Sequence, residues 1–182
     1  MNEFKILFFC FLASLVMSCN NQSAKEPCLY GTPSPILDKN TVGISEYSFS
    51  SNDSSGTETA IISDTLLIDG QVKFTINQAG CNDIKQTFTF ELPQNDYSAQ
   101  PDSFFVQRAA ESLMVLSQKS PLANQSFIPK FAYELYTFAA GVKLNRAFAV
   151  DSQSAPGIFF MISKIATKEE GIVVLDFFSN EE

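Results

Sequence analysis

The sequence predicts an α+β domain, in which an antiparallel sheet (an N-terminal meander plus a C-terminal hairpin) has two helices inserted between its halves. Three observations carry this. Val72, Phe74 and Ile76 alternate with Lys73, Thr75 and Asn77, and Ile84, Phe88, Phe90 and Leu92 repeat the alternation, as strands with one dry and one wet face do. Phe105, Ala109, Leu113 and Leu116 fall on one helical stripe. After Pro156-Gly157, the runs Ile158–Ile162 and Ile172–Leu175 are apolar at both parities.

Taken in order, Tyr30 to Pro35 is turn or extended material, because Pro33 and Pro35 block a helix and remove donors. Thr41–Ser50 reads as a strand whose parity changes between Ile44 and Tyr47, implying a bulge near Ser45. Ser51–Thr59 (SNDSSGTET) reads as a polar loop, and Ala60–Ile68 as the next strand. Asp69-Gly70 is a tight-turn signal before Val72–Ile76, and Pro93 ends the meander.

Asp102 or Ser103 can cap a helix that runs to about Lys119, where Ser120-Pro121 stops it. Pro129 is suited to the start of a second helix ending near Ala140 with Gly141 as C-cap, although its aromatics keep a strand open for residues 127–140. Val142–Val150 reads as a strand. The closing hairpin pairs Ile158–Ala166 with Ile172–Phe178, and its two-sided apolar character predicts central strands covered on both faces. The alternative is one exposed face that forms a partner site.

The first nineteen residues set the cellular context. Lys5 precedes an apolar run from Ile6 to Met17 that ends at Ser18-Cys19. The run spans about 18 Å as a helix, too short for a bilayer that needs ~20 residues, and has the layout of a cleaved export signal. Leu15-Val16-Met17-Ser18-Cys19 resembles the lipobox of bacterial lipoprotein precursors. That resemblance covers the signal alone. It implies cleavage after residue 18 and lipidation of Cys19, with the membrane as a partner through the lipid anchor. Asn20 implies the outer membrane if the bacterium is Gram-negative. Residues 19–40 then form a lipid-anchored tether and extended segment, and residues 41–182 a single globular domain. With Cys19 blocked and Cys10 lost, Cys28 and Cys81 remain as an even pair in an oxidising compartment, and a disulfide between them is expected. In the chain-entropy model, closing that loop is worth ~4 kcal/mol. It would staple segment 29–40 to the sheet, which the composition of that segment does not do by itself.

Composition excludes several function classes. The net charge is −8 and no Lys/Arg cluster occurs, so phosphate backbones find no partner and nucleic-acid binding is not expected. There is no histidine, which removes Ser-His-Asp and Cys-His systems and the commonest zinc and haem ligand. No phosphate loop or nucleophile elbow is present, and no cofactor or metal is expected. Ser163 and Lys164 are adjacent and would point to opposite faces of a strand.

Carboxylates remain. Glu169-Glu170 sit in a turn, Asp64 and Asp69 read as turn residues, and Asp53 with Glu58 lacks the register of a calcium loop. Asp176 shares a face with Ile172 and Val174, where an apolar setting would raise its pKa, although a strand-end acid paired with a lysine is the favoured reading. The sequence therefore favours a noncatalytic envelope lipoprotein that binds a protein, a peptide or a small apolar ligand. The alternatives are a carboxylate-dependent hydrolase of envelope glycans and a structural component of an envelope complex. No catalytic residue is assigned.

Overall fold

The computed structural model describes residues 32–67, 69–79, 85–124, 127–150, 153 and 155–179. It contains a seven-stranded antiparallel sheet in the order β1-β2-β3-β4-β7-β6-β5. The meander is β1 (Ile44–Ser51), β2 (Ser55–Ser63), β3 (Gln71–Ala79) and β4 (Lys85–Glu91). Helix α1 (Asp102–Lys119), the single turn α2 (Pro121–Asn124), α3 (Ile128–Thr137) and a 3-10 turn (Ala139–Gly141) follow. The chain then returns through β5 (Ala147–Ala149), β6 (Ile158–Ala166) and β7 (Gly171–Ser179). The α+β architecture is the one the sequence predicts, with β7 placed against β4 so that the two halves join in one sheet.

Register fixes the two faces. Val72, Phe74 and Ile76 of β3, Phe88 and Phe90 of β4, and Val173, Leu175 and Phe177 of β7 share one buried face, and all are at most 2% exposed. Helix α1 lays Phe105, Ala109, Leu113 and Leu116 into the same core, joined by Phe131, Ala132 and Leu135 of α3. Phe131 packs edge-on against Phe160 and Phe177, with ring centroids 4.7 and 5.0 Å away. Fully burying such a side chain contributes about 1.5–3 kcal/mol, so these rings weld α3 to the C-terminal hairpin.

Several expectations are corrected. Ser51–Thr59 is not a loop: Ser51 ends β1 and β2 begins at Ser55. The reversal needs only Asn52–Ser54, because the Asn52 side-chain oxygen accepts the N–H groups of both Ser54 and Ser55. Strand β2 stops at Ser63, and Asp69-Gly70 is the end of a longer connection rather than a two-residue turn. Within that connection Asp64 accepts the Leu66 N–H, and Gly70 takes a positive φ of 72°. The bulge in β1 falls between Ser45 and Ser48, as the parity change implies, with Glu46 at φ 48°.

Pro101, not Asp102 or Ser103, holds the N-cap position of α1; Asp102 starts the first turn and pairs with Lys164 at 2.7 Å. Residues 128–137 are helical, which settles the choice between helix and strand there. The helix ends at Phe138, and Gly141 closes the 3-10 turn instead of capping it. The strand expected over Val142–Val150 shrinks to Ala147–Ala149.

Among the described residues, the hairpin β6–β7 is also not covered on both faces. Helices α1 and α3 pack against the Phe160/Ile162 and Val173/Leu175/Phe177 side. On the opposite face Phe159, Met161, Ile172, Val174 and Phe178 are half-buried and Ile165 is 52% exposed. Two helices have one layer to give, and the meander claims the same layer.

Candidate functional site

The segment that leads into β1 forms one wall of the site, and side chains of the sheet and helix hold it there. Glu58 on β2 is fully buried. Its carboxylate accepts the backbone N–H of Ile36 at 2.8 Å and of Leu37 at 3.0 Å. The Tyr47 hydroxyl donates to the same carboxylate, and burial together with the Glu58 charge pushes that phenol up to about 12. The Ser120 hydroxyl donates to the Ile36 carbonyl, the Gln78 amide to the Ser34 carbonyl at 2.9 Å, and Lys119 to the Val42 carbonyl at 3.0 Å. With Leu37 only 4% exposed, hydrogen bonds and a buried leucine fasten residues 34–42.

Glu58 is the residue that sequence reading missed. The sequence places it beside Asp53 in a polar loop without the register of a calcium site, yet it sits at an inward position of a strand. The signal was available: Gly56, Glu58, Ala60 and Ile62 alternate with Thr57, Thr59 and Ile61. A carboxylate at an inward parity breaks the apolar pattern unless donors converge on it, and the two backbone donors come from residues more than twenty positions away.

Between this wall and the helices lies a cavity of about 390 Å³. Phe127 and Ile128 at the start of α3, together with Ala123 of α2, line one side. Phe177 at the end of β7 and Ile158 at the start of β6 form the floor, with Phe178 and Ala155 also in the lining. Ser34 and Ile36 close the side nearest the chain entry, and Gln78 and Gln86, paired across β3 and β4, supply the amides. Phe127 meets Phe177 edge-on at 5.3 Å, so the floor is anchored to the aromatic core. Among the described residues no charged side chain lines the cavity. Its size and its apolar wall with a few polar groups match the ordinary small-molecule site. A smaller cavity of about 140 Å³ lies under Phe138, between α3 and β5.

The other residues singled out from the sequence are dispersed. Cys19, Cys28 and Cys81 lie outside the described residues, so the lipidation and disulfide expectations do too. Asp176 does share the open sheet face with Ile172 and Val174, but its partner is the Thr87 hydroxyl at 2.6 Å instead of a lysine. Asp64 pairs with Lys119 at 3.0 Å. The Leu66 N–H first, and then Lys119, hold its carboxyl below the ordinary aspartate range. Glu169 and Glu170 are exposed in the β6–β7 turn, which the Thr167 hydroxyl organises by accepting both their N–H groups.

Ser163 and Lys164 do point to opposite faces: Lys164 lies over the Phe105 ring at 4.5 Å on the helix side. Arg108 and Glu111, paired at 2.6 Å on α1, are nearly buried, and desolvation raises the Glu111 pKa. Among the described residues no group of three or more acidic or cysteine side chains is placed to hold a metal, and no helix is long and apolar enough to cross a membrane.

No family model, curated protein or solved structure matches this chain, so the site rests on its own geometry.

Proposed function

We propose that this chain is a lipid-anchored envelope protein, noncatalytic, that binds a small apolar ligand in the cavity between the β6–β7 end of the sheet and helices α2 and α3. The observation that carries the reading is the cavity itself, about 390 Å³ with apolar walls and two glutamines in its lining. A glycan hydrolase needs two carboxyls about 5–10 Å apart across its substrate, and the described residues of the lining include none. The anchor is proposed at Cys19 and the outer membrane as its location, both from the lipobox-like signal.

Binding of an apolar fluorophore such as 1-aminoanthracene to the purified mature protein tests the reading. The expected result is saturable fluorescence enhancement that Ile158→Trp abolishes, because the larger ring enters the cavity from a half-buried lining position. Unchanged binding in a folded Ile158→Trp protein would place the ligand elsewhere. The open sheet face supports a second reading, a protein or peptide partner, since Ile165 stands 52% exposed among half-buried apolar neighbours.

A further inference from the structure

Resting on that binding reading, we infer that the ligand is a single-chain amphiphile with an uncharged, hydrogen-bonding head, drawn from the membrane that anchors the protein, and that Gln86 selects the head. The cavity has an aromatic and aliphatic end built on Phe127, Ile128 and Phe177, and an amide end built on Gln78 and Gln86. The two amides are not equivalent. Gln78 spends its N–H on the Ser34 carbonyl and so holds the wall. The Gln86 side-chain amide makes no hydrogen bond to a described residue, its backbone being held in the β3–β4–β7 ladder. A primary amide both donates and accepts, so it can satisfy a hydroxyl, an ester or an amide equally well. A carboxylate or an ammonium entering the same place would lose water and find no counter-charge among the described lining residues, which disfavours it.

The source follows from where the chain enters. Ser34 and Ile36 are part of the cavity wall, and the described residues begin at Thr32, thirteen positions after Cys19. Even fully extended, thirteen residues reach at most ~47 Å. A lipid on Cys19 would therefore hold the Ser34 side of the cavity within ~47 Å of the bilayer surface. The β1–β2 turn, the β3 end and the β7 end lie at one end of the sheet, and the cavity lies at that end beside the segment that the tether reaches first.

The test is photolabelling of the full lipidated protein in phosphatidylcholine vesicles. The probe is a monoacylglycerol with a diazirine in its acyl chain, set against a fatty acid carrying the same chain. Support consists of neutral-probe labelling on peptides containing Phe127 or Phe177, competed by decan-1-ol about 3- to 10-fold better than by decanoate, as one hydrogen bond allows. Gln86→Leu should erase that preference, and Gln86→Glu, which keeps the size, should weaken the anionic probe further. Equal labelling by both probes, or an unchanged preference in Gln86→Leu, overturns the head-group inference and leaves the binding reading standing. Labelling from solution but not from vesicles overturns the membrane source. Absence of cavity labelling by either probe overturns the binding reading itself.

Discussion

Replacing Glu58 should release the wall of the cavity before it unfolds the domain. In Glu58→Ala the N–H groups of Ile36 and Leu37 lose their carboxylate acceptor, as does the Tyr47 hydroxyl. Hydrogen bonds to a charged group contribute about 1.5–3 kcal/mol each, so the two backbone bonds together are worth roughly 3–6 kcal/mol. That compares with a total stability of about 5–15 kcal/mol for a domain. Glu58→Gln keeps one acceptor oxygen and should cost about half as much. A shape-matched Glu58→Leu should not rescue stability, because it removes the costly buried charge but leaves both amides orphaned. The assay is urea denaturation of the mature protein combined with hydrogen exchange at the Ile36 and Leu37 amides. Their protection should collapse in Glu58→Ala while the Phe74 and Leu175 amides stay protected. A loss below ~0.5 kcal/mol in Glu58→Ala, or unchanged exchange at Ile36 and Leu37, would refute the account of how this segment is held.

Three further outcomes follow from the same geometry. Leu175→Ala removes a fully buried side chain and should cost about 2–5 kcal/mol, whereas Val174→Ala on the open face should cost under ~1 kcal/mol; equal losses in chemical denaturation would mean that both faces are covered. The Asp64 pKa is lowered in the folded chain, so its contribution is present above the ordinary aspartate value of ~4 and is lost as pH falls through the lowered folded value. Urea midpoints measured from pH 6 to pH 3 should therefore drop less steeply for Asp64→Asn than for the parent, and parallel curves would remove Asp64 from the acid response. Cys19→Ala should move the protein from the membrane fraction to the soluble fraction, and unchanged fractionation would exclude the lipid anchor.

What the sequence determined by itself was local. Alternation at Val72–Ile76 and Phe88–Phe90 and the stripe Phe105–Leu116 are readable because each period is written in consecutive residues and needs only to be buried somewhere. Those patterns were enough for the fold class and for most of the elements. Strand β2 failed because its inward Glu58 imitates a loop residue until Ile36 and Leu37 arrive to satisfy it. The two-sided apolar runs of β6 and β7 overstated coverage, because a pattern records which residues could be buried and not how many helices exist to bury them. The cavity was not legible at all. Its lining comes from the entry segment, the β3–β4 pair, α2, α3 and the β6–β7 hairpin, residues up to 144 positions apart (Ser34 to Phe178), whose proximity no local period encodes. Tertiary packing decided it, by seating the Phe127 and Phe131 rings edge-on against Phe177 and bringing the start of α3 beside Gln86.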